Sequence, residues 1–400
     1  MERIRRRFDP AIWTGDLITL VVATFVLRCG EGIFGGARTN FLVESFGLSS
    51  QRVLWLEGLR EIPGLALVFI AAFTMRLPLT WRAAAATLIL GVGYALEAFA
   101  PSYAGLVSLA ILASVGMHMY MPLESSLGLA VSPPGRAGRA LGTLSAVTAL
   151  ASLTGMGTIA VSSRLFTAIP LRGYLVIAGI LITLSALLLL RLPRNLGVTA
   201  VPPPRMLVRR RYWLYYVLTF FEGSRKQVLN TFGALVLVDV YHFQAWQISV
   251  LLLVSGAVNF IGAPMLGALL DRLGERRTLT MSYALLTLCC LGYALSQNVW
   301  LLCVLMVLIK LLVVLSIGLS TYVHRIAPAE ELTPTLSAGI SINHISSVAM
   351  PLLAGVLLPV VGYRGIFIWT AVLIGLSVPF ALAMRAPEPA TSHIEPVLAD

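Results

Sequence analysis

A chain of 400 residues in which 58% are hydrophobic and only 12% charged has more apolar surface than a soluble core can use, since soluble domains run to roughly 45–50% and 25%. A membrane span needs about 20 mainly apolar residues, so the length holds about a dozen spans with short loops and excludes a soluble domain of any size. The net charge of +11 would suit nucleic acid, but the basic residues fall in short segments between apolar stretches, which points to membrane orientation and to no nucleic-acid partner.

The first apolar stretch follows MERIRRRF, a basic start of the kind that signal peptides have. It runs on from about Trp13 to Phe46, carries Arg28, Glu31 and Arg38, and is followed by many more apolar stretches, so it reads as a retained first helix. Apolar runs bounded by breakers predict spans near 16–44, 52–75, 82–99, 103–131, 138–162 and 172–191. A second set is predicted near 212–238, 246–270, 278–296, 299–323, 335–360 and 364–385. Between the sets, RLPRNLGVTAVPPPRMLVRRR has three consecutive prolines and six arginines and reads as an exposed connector. The expected fold is an all-α membrane protein of about twelve helices: a bundle over 1–190, a cytoplasmic linker over 191–211, a second bundle over 212–386 and a cytoplasmic tail over 387–400.

With both termini in the cytoplasm, the inner segments hold nineteen arginines and the outer ones only Arg52, Arg164, Arg172 and Arg364. That asymmetry favours an even number of spans, and the expected location is a bacterial inner (plasma) membrane. The two sets also resemble each other. Glu31-Gly32 recurs as Glu222-Gly223 and Trp55 as Trp246, both 191 residues on, while Thr143-Leu144-Ser145-Ala146 recurs as Thr335-Leu336-Ser337-Ala338 at 192. Agreement to within one residue argues for a duplicated six-helix unit against coincidence in an apolar sequence. Cys29, Cys289, Cys290 and Cys303 sit in apolar stretches at spacings that fit neither a zinc site nor a disulfide framework, and read as packing residues.

The segment GALLDRLGERR, from Gly267 to Arg277, resembles the cytoplasmic loop motif of the major facilitator superfamily, and it falls between predicted spans eight and nine, where that family repeats the motif. The resemblance implies two bundles and a cytoplasmic gate formed by Gly267, Asp271, Arg272, Gly274, Arg276 and Arg277. The equivalent first-half loop, FTMRLPLTWR, lacks the acidic and glycine positions, and the fifth span around Thr154-Gly155-Met156-Gly157 lacks the proline of the antiporter-like motif.

Ionisable groups inside a bilayer cost roughly 2.5–3.5 kcal/mol each and mark a polar pathway when they persist. Arg28, Glu31 and Arg38 in the first span lie at intervals of three and seven residues, on one helical face. Glu57, Arg60 and Glu61 repeat the device in the second span, just before Pro63 and Gly64. In the seventh, Glu222 has Arg225 and Lys226 at i+3 and i+4, with Asn230 two turns on. Lys310, Asn343 and His344 extend the predicted solute and ion path, and Glu31 and Glu222 are the expected proton carriers. Glu97 and Glu124 fall near span ends, where either could be solvated. Met117, His118, Met119 and Met121 could suggest soft-metal ligands, but their spacing spreads them around a helix, so no metal site is expected. The competing reading of the charged stripes is that each glutamate neutralises its own arginine and holds helices together.

No phosphate-binding glycine-lysine loop, HExxH or GxSxG motif occurs. The expectation is therefore not an enzyme and needs no cofactor: it is a secondary transporter, working as a monomer in the lipid bilayer, whose partner is a small-molecule solute. Six deep bases and six deep acids leave the charge of that solute open; arginine forks suit an organic anion or zwitterion carried with protons. Efflux of amphipathic compounds is the alternative within transport, and a transporter-like receptor or a membrane enzyme the alternatives outside it.

Overall fold

The computed structural model describes residues 13–66, 74, 77–133, 136–166, 169–196 and 208–384. The predicted tail over 387–400 and most of the predicted linker lie outside them. The described residues are almost all helical, and eight of the helices are long and apolar enough to cross a membrane.

The first set comprises α1 (Gly15–Asn40), α2 (Ser50–Leu59), α3 (Ile62–Leu65), α4 (Leu79–Glu97), α5 (Tyr103–Ala130), α6 (Ala137–Leu165) and α7 (Leu171–Leu189). The second comprises α8 (Trp213–Gln227), α9 (Gly233–Asp239), α10 (Ala245–Leu295), α11 (Val299–Val313), α12 (Ile317–Ile326) and α13 (Ala329–Leu382). The starts are capped as the sequence dictates. Thr14 accepts from the Leu17 amide at the head of α1, Ser102 from Gly105 at α5, and Asn298 from Trp300 and Leu301 at α11.

Two of the longest helices are each a bent pair. α10 turns at Gly274 (φ 76°) and α13 at Gly362 (φ 64°), left-handed backbone that costs a side-chain-bearing residue energy but glycine nothing. These turns fall where predicted spans eight and nine, and eleven and twelve, were to be separated by loops. The second predicted span is interrupted: α2 ends at Leu59 and α3 begins at Ile62, with Pro63 unable to donate to the preceding turn. Its remainder over 67–73 lies outside the described residues. π-helical turns follow α1 at Phe41–Ser45 and α8 at Val228–Phe232, irregularities that often mark functional segments.

Within the first set α1 packs on α6 and α7, and α4 on α5 and α7; within the second α8 packs on α13, and α10 on α11 and α13. Between sets, α10 meets α6 and α1, and α13 meets α2. The α1–α6 contact is backbone on backbone, because a Cβ at Gly155 would lie 2.2 Å from the Cys29 carbonyl oxygen and one at Gly32 2.5 Å from that of Ser152. The molecule is inverted relative to a soluble protein. Val360, Trp300 and Leu288 are 84%, 79% and 62% exposed, whereas Glu57, Glu61 and Glu97 are at most 2% exposed, as a lipid solvent requires.

Hydrogen bonds join the two sets from mid-helix toward one end. The Asn40 side-chain amide donates to the Phe243 carbonyl at 2.6 Å, and Asp239 accepts from Ser50 at 2.7 Å and from Tyr363 at 2.6 Å. Trp55 donates to the Leu352 carbonyl at 3.3 Å.

Candidate functional site

The predicted intramembrane charges gather into four groups. In the first, Arg28 donates to Glu31 at 2.6 Å and also to Glu124 on α5. Glu124 is thus part of a three-membered cluster rather than solvated at a helix end. Two carboxyl groups share one guanidinium, so the cluster has one more acid than base.

The second group is deeper. Arg38 of α1 bonds Glu57 of α2 and lies 3.5 Å from Glu97 of α4, while Arg60 donates back to Glu57 at 2.7 Å. Arg38 also stands over the Phe34 ring, which stacks on Tyr94 at 3.5 Å. The placement of Glu97 near a span end suggested solvation; it is instead 1% exposed, because the α4 terminus is covered by its neighbours. Two bases and two acids give this cluster balanced formal charges.

The third group crosses between the sets. Glu61 stands at the break between α2 and α3, and its Oε2 lies 3.3 Å from Lys226 Nζ of α8, 3.2 Å from His344 Nδ1 of α13 and 3.9 Å from His118 Nε2 of α5. The break matters to the geometry: freed from the ladder, the Arg60 carbonyl accepts from Ser114 of α5. Gly64 clears room for the His344 ring, whose Nδ1 would lie 2.4 Å from a Cβ there. The two imidazoles meet edge to face, 4.9 Å between centroids.

The fourth group corrects a local expectation. Glu222 pairs with neither helical neighbour; it accepts from Asn343 at 2.8 Å. Lys226 turns to Glu61, and Arg225, 3% exposed, lies 4.3 Å from the centroid of the Tyr283 ring, a cation–π contact of the kind that holds a desolvated guanidinium. Tertiary partners win because the i+3 and i+4 pairs gain only a few tenths of a kcal/mol on a helix surface. Lys310 has no ion pair among the described residues, and the Asn230 side chain lies outside them. Glu31 and Glu222, repeat mates and the expected proton carriers, stand in separate groups.

At the loop motif, Gly274 takes the turn, and Asp271, Arg272, Arg276 and Arg277 are exposed, while Gly267 is half-buried. The ion pair there is made by a residue the motif does not feature: Glu275, 6% exposed, accepts from Arg325 at the end of α12 at 2.8 Å. Glu331, at the start of α13, is a second residue missed from sequence. It binds Arg211, lies 3.3 Å from Arg209 and accepts from Tyr212 at 2.8 Å, and the Arg211 guanidinium holds its carboxyl below the usual range. The excess of arginines over acids in the connector was the signal that could have found it. A separate apolar pocket of about 290 Å³ between α6 and α10, lined by Leu153, Met156 and Phe260 among others, contains none of the four charged groups.

The sequence model of the Major Facilitator Superfamily matches residues 20–297 and 215–398. The chain belongs to that superfamily of membrane transporters. Solved structures similar to it include a mutant of the nucleoside transporter NupG (TM-score 0.78, 14% identity, covering 93% of this chain and 100% of that one). A bacterial homologue of the human lysosomal transporter Spinster, inward-facing and occupied, gives 0.70 and 15%, covering 93% and 98%. A mutant of the peptide transporter POT gives 0.71 and 13%, covering 92% and 93%. At these identities the likeness is one of fold. Comparison with curated protein sequences finds no match.

Proposed function

We propose that this chain moves a small organic anion or zwitterion across the membrane together with protons, by alternating access of a bundle over 1–190 and a bundle over 212–386 that cross the membrane twelve times in all. The observation that carries the reading is the third charged group, where Glu61 and His118 from one set meet Lys226 and His344 from the other deep in the molecule. Rocking of two bundles about a central site breaks and remakes contacts of that kind. Arg225 and Lys310, cations without a carboxylate partner among the described residues, support an anionic or zwitterionic group on the solute. The excess of one acid over base in the Arg28–Glu31–Glu124 cluster supports Glu31 as a proton carrier, and Glu222 remains the candidate in the second half.

Purified protein in liposomes tests this. Solute accumulation driven by a pH gradient, with counterflow of unchanged solute, is expected. Binding without flux would indicate a receptor, and covalent change of the solute an enzyme. The apolar pocket between α6 and α10 favours amphipathic solutes as a second reading, which a thermal-shift screen with both solute classes separates: stabilisation by amphipathic cations but not by carboxylates would replace the first reading.

A further inference from the structure

Glu61, His118 and His344 come from three helices, yet one ligand atom from each lies within 4.8 Å of the other two. We infer that they form a site for a divalent transition-metal ion of the imidazole-binding class, such as Zn²⁺, held between the two sets.

The surroundings of His118 fix its tautomer. Its Nδ1 lies 2.9 Å from the Ser114 carbonyl oxygen, which can only accept, so Nδ1 carries the proton and Nε2 keeps its lone pair. That lone pair faces Glu61 Oε2 at 3.9 Å, acceptor against acceptor. A backbone carbonyl that orients one ring nitrogen while the other is offered to a cation is the usual outer partner of a metal-binding histidine. Tetrahedral zinc with bonds of about 2.0–2.1 Å separates its ligand atoms by about 3.3–3.4 Å. The Glu61–His344 edge is 3.2 Å and the Glu61–His118 edge 3.9 Å, so two edges already approach that spacing. Two imidazoles and a carboxylate leave the fourth position open, and the donor set suits Zn²⁺, Co²⁺ or Ni²⁺ rather than Mg²⁺ or Ca²⁺.

Lys226 is the competing cation. Its ammonium lies 3.3 Å from the same carboxylate oxygen, on the side chain with the greatest exposure of the four, 34% against 10% or less for the other three. Its long stem can withdraw when a doubly charged ion takes the carboxylate. His118 contributes because α5 faces the break in α2–α3 and the middle of α13. On the transport reading above, a bound ion would tether the two sets; the test below reads binding directly and does not depend on solute flux.

The full chain, purified without a polyhistidine tag, is titrated with Co²⁺ alone, followed by its visible ligand-field absorption and then by displacement with Zn²⁺. One Co²⁺ per chain is expected. His118→Ala and His344→Ala each weaken binding at least about tenfold, and His324→Ala leaves it unchanged. Lys226→Ala tightens binding, a gain that loss of folding cannot mimic. Absence of absorption in the unsubstituted protein would overturn the site, as would a histidine variant that binds as tightly as the unsubstituted protein or no gain in Lys226→Ala.

Discussion

The charged groups of the two halves are built on different terms. In the first half Arg38, Glu57, Arg60 and Glu97 close into a cluster of two bases and two acids in which every base has an acid beside it. In the second half Glu222 leans on an amide, Arg225 on a ring face, and Lys226 on a carboxylate from the other half. A charge already satisfied within its own bundle has little left to offer a solute, whereas one held by an amide or an aromatic face can exchange that partner at modest cost. On the proposed function, cohesion falls to the first cluster and solute handling to the second half.

The largest effect should come from breaking the first cluster. Glu57→Ala leaves Arg38 and Arg60 short of a counter-charge in the interior and should destabilise by about 3–5 kcal/mol, read as a lower unfolding temperature in detergent; replacing Arg38 by Met as well should restore part of it. If Glu57→Ala unfolds normally but loses flux, the assignment of cohesion fails. Next comes Glu31→Gln, which removes the proposed proton carrier beside Arg28: accumulation driven by a pH gradient should fall to the equilibrium level while counterflow persists. Loss of both would make Glu31 structural instead.

Arg225→Ala should weaken solute affinity by roughly tenfold, the worth of a charge-assisted hydrogen bond of about 1.5–3 kcal/mol less what the solute recovers elsewhere. Arg225→Lys should not rescue it fully, because an ammonium neither forks nor stacks on Tyr283 as a guanidinium does. Equal affinity in both variants would sever the second half from the solute. Asp239→Asn removes the charged acceptor that Ser50 of the first set shares with Tyr363 of the second, about 1 kcal/mol of contact between the sets; a shift in accessibility of a cysteine placed near Gly47 is the expected readout.

The smallest effect lies outside the membrane, at Glu331. Its carboxyl is held below the ordinary range by Arg211, so its contribution is present at neutral pH and fades as pH falls through that lowered value. Glu331→Gln should therefore lower stability slightly at neutral pH and not at acid pH, which flattens the acid limb of the stability curve.

Much of the architecture was legible in the residues themselves. The apolar runs located the long helices, and Gly274 and Gly362 stand where loops between spans were predicted, because a bilayer imposes length and polarity on each segment separately. The same local reasoning named Arg28, Glu31, Arg38, Glu57, Arg60 and Glu61, since a charge in an apolar run is conspicuous wherever it ends up. It failed on partnership. Glu222 with Arg225 and Lys226 is a plausible pair along one helix, yet each finds a partner on another, and Glu97, Glu124 and His118 gain their roles only from the helices that cover them.

What the chain order alone determined is therefore the membrane class, the helical segments, the family and the inventory of intramembrane charges. What the tertiary structure decided is which charges meet: helix periodicity fixes the face a side chain occupies, but only packing between segments distant in the chain, such as Glu61 against His344, sets the distances on which electrostatic and ligand chemistry depends.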